Sequence, residues 1–253
     1  MKMDAAINIG NSNIGIAVAA NDHRKVWRIA TDLKNPASEI AKIFSRFHKL
    51  VDRCILSSVK PDLTETVCDA LQPFCRIQPI VASLENGFLL DYSCYEGLLG
   101  IDRAICCEAA YLQTQTPFIV VDSGTATTLN IVDDKNCFIG GMIFPGVQMG
   151  LSALSENTAL LPHMQPKSYV PLIGTNTEEC LLAGTVYGTA LLLDNAISNV
   201  WSRLGMTGET IITGGNASAI LSVIRTKYHY EENLIFKGLL TILERNTKQC
   251  RFI

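Results

Sequence analysis

The chain is 253 residues long, 48% hydrophobic, with a formal net charge of −3; that allows one large domain or two ordinary ones, each with its own core, and excludes a disordered chain. Residues 1–113 hold 12 Lys/Arg against 13 Asp/Glu and residues 114–253 hold 9 against 11, so neither half carries a basic stripe and no nucleic-acid partner is expected. No run approaches the roughly 18 uninterrupted apolar residues of a membrane span, and Met1-Lys2-Met3-Asp4 is no signal-peptide opening, so no membrane partner is expected either.

In chain order, Ile7 to Ile9 and Ile14 to Ala20 read as two strands around the turn cluster Gly10-Asn11-Ser12-Asn13, and Lys25 to Ala30 as a third. Pro36 to Leu50 has helical spacing, with Ile40, Ile43, Phe44 and Phe47 on one face. Arg53 to Val59 is a strand, Leu63 to Leu71 a short helix, Ile77 to Val81 a strand, and Gly100 to Tyr111 a helix. The second half begins in the same way: strand Phe118 to Asp122, turn Ser123 to Ala126, strand Thr127 to Val132, and strand Cys137 to Phe144 closing on Pro145-Gly146. Helices are predicted at Val147 to Leu154 and Glu178 to Leu204. A strand at Thr210 to Thr213 ends in Gly214-Gly215 before another helix, and Leu234 to Asn246 closes the chain as a helix.

Both halves thus open with a strand, an Asx residue, a glycine one residue later, a polar turn and a returning apolar strand, at Asn8 to Asn13 and at Asp122 to Thr128. This predicts a duplicated α/β fold, with domains at residues 1–115 and 116–253.

Glycine lets a backbone approach a phosphate chain, while main-chain N–H groups and short polar side chains grip its oxygens. Gly10 and Gly124 supply the turns; Asn11, Ser12, Asn13, Thr125, Thr127 and Thr128 supply the polar groups. Two such hairpins facing one another across a cleft would hold ATP from both sides; either one alone also reads as an ordinary hairpin turn. Asp122, ending an apolar strand ahead of a glycine turn, is the candidate cation ligand, although Asp before Gly is also a common turn residue. Gly100-Ile101-Asp102-Arg103 stands at a loop-to-helix junction. It reads either as a helix cap or as a general base, Asp102, beside a guanidinium fork for an anionic substrate, Arg103. The nine cysteines form no C-x-x-C and no zinc-like spacing. They read as unbridged, inert thiols, the vicinal Cys106-Cys107 among them, and point to a reducing cytoplasm.

These residues resemble the motifs of the type III pantothenate kinases, members of the actin/hexokinase/acetate-kinase-like superfamily, nearly end to end. The family's D-I-G-N-T-N stands at Asn8 to Asn13, its S-S-V-x-P at Ser57 to Pro61, its G-x-D-R at Gly100 to Arg103 and its D-x-G-T-A-T-T at Asp122 to Thr128. G-G-x-I-x-P-G is Gly140 to Gly146, and Thr175 to Thr177, Thr213 to Gly215 and Leu234 to Leu239 complete the series. The resemblance implies two ribonuclease H-like (actin/hexokinase-type) domains around a central ATP cleft, and ATP-dependent phosphorylation of pantothenate, the first step of coenzyme A synthesis. It implies that Asn8, Ile9, Gly10, Asn11, Ser12, Asn13, Ile14, Gly15 and Thr125 contact ATP and that Asp102 is the base. Tyr92, Gly100, Ile101, Asp102, Arg103 and Thr177 would contact pantothenate. Asp122 would hold a monovalent cation (K+ or NH4+) alongside Mg2+, in a homodimeric cytoplasmic enzyme. A sugar or acetate kinase of the superfamily is disfavoured by where G-x-D-R and the Asp122 motif stand.

Three positions depart from the family pattern. Asn8 stands where the family has Asp, Asn130 where it usually has Asp, and Asp91-Tyr92-Ser93-Cys94-Tyr95 lacks the usual Asn-Pro. An amide at position 8 brings no negative charge to Mg2+-ATP, so an impaired, nucleotide-binding paralogue with a regulatory role is the alternative expectation.

Overall fold

The computed structural model describes residues 2–20, 23–48 and 50–249, the last three of them by backbone alone. Its first part contains β1 (Met3–Ile9), β2 (Asn13–Ala20), β3 (His23–Ala30), α1 (Pro36–Phe44), β4 (Arg53–Ser58), α2 (Pro61–Leu71), β5 (Ile80–Val81) and α3 (Ile101–Tyr111). There follow β6 (Phe118–Ser123), β7 (Ala126–Val132), β8 (Phe138–Pro145), α4 (Val147–Glu156), α5 (Thr177–Leu204), β9 (Glu209–Thr213), α6 (Ala217–Ile220), β10 (His229–Tyr230) and α7 (Leu234–Gln249).

The two sheets have one topology. The first runs β3-β2-β1-β4-β5, the second β8-β7-β6-β9-β10. In each, the opening three strands form an antiparallel meander; the fourth joins the first strand in parallel and the fifth joins the fourth in parallel. This is the duplicated α/β arrangement expected from the repeated openings.

Strand alternation divides the first sheet into two faces. Ile7, Ile9, Ile14 and Ile16 pack with Ile40, Ile43 and Phe44 of α1 and with Val67 and Leu71 of α2. Ala6, Ala17 and Ile55 form the other face, where Ile105 of α3 meets Phe236, Leu239, Ile242 and Leu243 of α7. Each of those large α7 side chains gains about 1.5–3 kcal/mol by leaving water. The chain accordingly divides into one unit of Met1–Leu89, Gly97–Ala109 and Leu234–Ile253, and a second of Leu90–Glu96 and Ala110–Asn233. Leu90–Glu96 falls in the second unit, while α7, grouped by sequence order with residues 116–253, completes the core of the first. A buried ion pair fastens it there. Arg245 meets the fully buried Glu108 of α3 at 2.6 Å, and Glu108 also accepts the Leu89 N–H at 2.8 Å.

Individual elements depart from the sequence reading for local reasons. β1 begins at Met3, before Ile7, because Asp4 is tolerated in the strand: Arg53 on β4 donates to its carboxylate at 3.0 Å. α1 stops at Phe44, short of Leu50, and Phe47 turns to set its ring edge-on to Trp27 at 5.9 Å. The strand expected from Ile77 shrinks to Ile80–Val81, and β10 carries no alternation that would announce it.

In the second unit Ile119, Val121, Leu129 and Ile212 of the sheet pack against Val147 and Leu151 of α4 and the inward face of α5. By length and composition α5 could cross a membrane. Its Leu182, Val186, Leu193 and Ile197 instead supply much of this core.

Candidate active site

Both hairpins turn at the carboxyl end of the central strand of their sheet. In the first, Asn8 pairs with Gly15 on β2 and with Ser57 on β4. The Gly10 N–H donates to the Asn13 carbonyl at 3.0 Å, closing the turn. Thr31, the residue after β3, clamps it: its N–H donates to the Ser12 carbonyl and its hydroxyl to the Gly10 carbonyl, both at 3.0 Å. Asn11, Ser12 and Asn13 stand exposed at the tip. Ile9 and Ile14 point into the core, and Gly15 backs onto the Phe236 ring. A ligand reaches these three through main chain alone.

Asn8 lies on the same strand face as Ala6, where α3 and α7 pack. Its Oδ1 accepts the hydroxyl of the fully buried Ser57 at 2.8 Å. The amide therefore offers no charge, and one lone pair of its oxygen is already committed within the protein.

The second hairpin repeats the device with different residues. Asp122 pairs with Thr128 and with Thr213. Gly124 N–H closes the turn onto the Ala126 carbonyl at 3.0 Å, and Gly146, the residue after β8, donates to the Thr125 carbonyl at 3.1 Å. Asn216 then secures the loop from β9's side, its N–H on the Ser123 carbonyl at 2.8 Å and its side chain on the Gly124 carbonyl at 2.9 Å. Gly214 has φ +103°, and any Cβ there would collide with the Asp122 carboxylate and the Ser123 carbonyl. That packing explains the Thr213-Gly214-Gly215 motif: it leaves room for the carboxylate.

Two buried hydroxyls mark the base of this loop. Ser123 and Thr127 are cross-strand partners, fully buried, and neither Oγ has a hydrogen-bond partner among the described residues. Asn130, also fully buried, donates to the Thr128 hydroxyl at 3.0 Å, so its amide orients a threonine on the Asp122 face. A carboxylate at position 130 would have to be desolvated there.

The helix α3 begins where the Gly100 carbonyl accepts the N–H groups of Arg103, at 3.1 Å, and Ala104. Asp102 Oδ1 accepts the Arg103 N–H at 2.9 Å, so capping is part of its role; the residue is half-exposed while Arg103 is buried. Gly100 lets the carboxylate fold over it, since a Cβ there would lie 2.8 Å from Asp102 Oδ1. Base and cap are compatible readings of one side chain at the positive end of a helix.

The remaining predicted residues lie in the second unit. Thr175 to Thr177 builds the start of α5. Asn176 Oδ1 accepts the Glu179 N–H at 3.0 Å, and the Thr175 N–H and hydroxyl both donate to the Glu179 carboxylate at 2.8 Å. The Thr175 N–H holds that carboxylate below its usual range. Thr177 is left exposed beside an apolar groove of about 550 Å3 shared with Leu154, Leu161, Cys180 and Leu181. Tyr92 is half-buried with its ring 5.8 Å from that of Phe138. Sequence reasoning missed Thr31 and Asn216, which hold the loops; Thr31 follows β3 with no motif to flag it, whereas Asn216 stands directly after Thr213-Gly214-Gly215.

Among the described residues no three His, Cys, Asp or Glu side chains gather as a metal cluster. The surroundings of Asp122 do fit a hard cation: a carboxylate beside a main-chain carbonyl, packed where glycine alone is accommodated. Asn8 fits less well, for want of charge.

Cys54, Cys75, Cys106, Cys107 and Cys137 are buried, Cys68 is half-buried, and Cys94 and Cys180 are exposed. Cys250 lies outside the described residues.

Comparison with known proteins agrees with this layout. The family model for type III pantothenate kinases matches residues 5–199. A type III pantothenate kinase of Moorella thermoacetica is 30% identical over 252 residues, covering 96% of this chain and 99% of its own. One from Mycolicibacterium vanbaalenii is 33% identical, covering 97% and 96%. Among solved structures, the ethanolamine utilization protein EutJ from Carboxydothermus hydrogenoformans aligns with a TM-score of 0.56 over 97% of this chain and 90% of its own, at 10% identity, a likeness of fold alone. The chain belongs to the type III pantothenate kinase family.

Proposed function

We propose that the protein transfers the γ-phosphoryl group of ATP to the primary hydroxyl of pantothenate, giving 4'-phosphopantothenate, the first step of coenzyme A synthesis. The observation that carries this reading is the complete Asp122 to Thr128 hairpin, clamped by Gly146 and Asn216, with Gly214 leaving room beside the carboxylate.

In this mechanism the chain positions charge and protons more than it forms bonds. The Asn8 to Gly15 hairpin and Thr125 grip ATP, the two isoleucines and Gly15 through main chain. Arg103 holds the pantothenate carboxylate, with Tyr92, Gly100, Ile101 and Thr177 as further contacts. Asp102 accepts the proton of the attacking hydroxyl as its oxygen bonds to phosphorus. Asp122 would hold a monovalent cation, K+ or NH4+. Together with Mg2+ carried on ATP, that cation would offset the phosphate charge. The protein works as a cytoplasmic homodimer without nucleic acid or membrane; half-exposed Leu191 and Leu192 on α5 are apolar surface for a second copy.

A coupled ADP-release assay with pantothenate, Mg2+ and ammonium tests the reading, run beside Asn8→Asp. Pantothenate-dependent ADP release by the wild type is the expected result. A second reading, a nucleotide-binding paralogue with a regulatory role, is favoured by one observation, the uncharged Asn8 tied to Ser57. Ligand-induced thermal stabilisation without turnover, in both proteins, would establish it. Turnover in Asn8→Asp alone would identify this chain as impaired at a single position.

A further inference from the structure

The segment carrying Tyr92 is folded onto the start of β8. Asp91 bridges to Cys137: its N–H donates to the Asn136 carbonyl at 3.0 Å, and its carbonyl accepts the Phe138 N–H at 2.8 Å. Beyond it the chain reverses. The Ser93 N–H donates to the Asp91 carboxylate at 2.8 Å, and the Tyr95 N–H to the Tyr92 carbonyl at 3.2 Å. Tyr92 and Tyr95 both lay their rings on Phe138, with centroids at 5.8 and 5.4 Å. Cys94 lies between these two tyrosines, in the turn that the Asp91–Cys137 bridge and the Phe138 ring hold against the start of β8, and its thiol perturbs that of Cys137. One thiol is exposed and the other buried, 5% exposed.

We propose that Cys94 and Cys137 form a covalent modification site, closing to a disulfide under a low-molecular-weight disulfide oxidant and so tethering the Tyr92 segment to β8. The exposed Cys94 thiolate attacks one sulfur of the oxidant and expels one thiol. Cys137 then loses its proton to solvent, attacks the Cys94 sulfur and expels the second thiol. Two protein thiols are oxidised and one disulfide is reduced to two thiols, so atoms and electrons balance. Burial first, and then the neighbouring Cys94, pushes the Cys137 thiol up to about 11 in the reduced protein, and the burial persists once Cys94 is modified. Closure by Cys137 is therefore the slow step near neutrality, and it accelerates about tenfold per pH unit while that thiol stays mostly protonated. The expected consequence for catalysis rests on the reading that Tyr92 contacts pantothenate.

The experiment uses the full chain, reduced and then incubated with oxidised glutathione at pH 7 and pH 9. Trypsin places Cys94 in residues 77–103 and Cys137 in residues 136–167, each fragment containing no other cysteine. The expected result is a cross-link between these fragments, two hydrogens lighter than their sum, reversed by dithiothreitol and absent from Cys94→Ser. It forms faster at pH 9. Glutathione resting on Cys94 without a cross-link, or Cys94 joined to a different cysteine, would overturn the proposal. Amide hydrogen exchange over residues 91–95 slows in the cross-linked protein; unchanged exchange would refute the tether. In an active enzyme the cross-link raises KM for pantothenate and leaves KM for ATP unchanged, an effect Cys94→Ser abolishes. A chain without turnover would defeat the kinase reading while the cross-link and exchange still decide the modification site.

Discussion

The two hairpins each close on a glycine N–H and share the position of the residue that clamps them, Thr31 after β3 and Gly146 after β8, although the first turn is one residue longer. They differ at the central strand's penultimate residue, where one carries Asn8 bonded to Ser57 and the other Asp122 packed against Gly214. Backbone geometry in this fold is thus maintained independently of the charge it presents. Turn hydrogen bonds hold the loop whichever of the two side chains stands there.

Several substitutions would break or sharpen that contrast. The largest effect is expected from Asp122→Asn, which gives the second hairpin the first one's amide. Turnover should fall on the order of 10²–10³-fold and lose its response to ammonium, measured by the coupled assay across a cation titration. A negligible loss would make the two hairpins equivalent. Gly214→Ala should cost about 1–3 kcal/mol in urea unfolding, because it combines a left-handed backbone with a collision at the carboxylate.

In the reverse exchange, Asn8→Asp should make Mg2+-dependent ATP binding about tenfold tighter by calorimetry. Unchanged affinity would mean that the Ser57 contact suits an amide. Smaller still, Thr31→Val should remove about 0.5–1.5 kcal/mol, since it leaves the Gly10 carbonyl without that hydroxyl. Thr127→Val should cost close to nothing in the same urea experiment, because its hydroxyl has no partner to lose.

Glu179 provides the pH-dependent case. Its carboxyl is held below the usual range first by the Thr175 N–H and then by the Thr175 hydroxyl. A depressed folded pKa means the contribution is complete above the ordinary carboxylate range and disappears as pH falls through the folded value. Thermal melts should show wild type losing stability toward acid more steeply than Glu179→Gln. Parallel curves would deny Glu179 that role.

Much of the fold was legible because hairpins announce themselves locally. Strand alternation, Gly10 and Gly124 marked both openings, and the shared sheet order bears out the duplication. The far end of the chain was not legible. Leu234 to Asn246 has helical spacing wherever it packs, and only the apolar face formed by Ala6, Ala17 and Ile55 decides that α7 belongs with the first sheet. The loss of helix after Phe44 and the two-residue β5 and β10 are likewise tertiary outcomes, since elements so short have no periodicity of their own. At the candidate site, Asp102 and Asp122 were recognisable from their motifs. Their surroundings were not, because Thr31, Asn216 and Gly214 act through contacts that sequence order does not display.

By itself the sequence determined the residue types available for phosphate chemistry, their order in two matched halves, and the absence of a carboxylate at position 8. Those properties follow from side-chain chemistry and local backbone preference, which need no partner. Tertiary structure decided what each group faces. It committed the Asn8 oxygen to Ser57, cleared a glycine-lined space for Asp122, and set an exposed Cys94 against a buried Cys137. Hydrogen-bond partners, burial and proximity arise only when distant segments meet, so these were settled by packing.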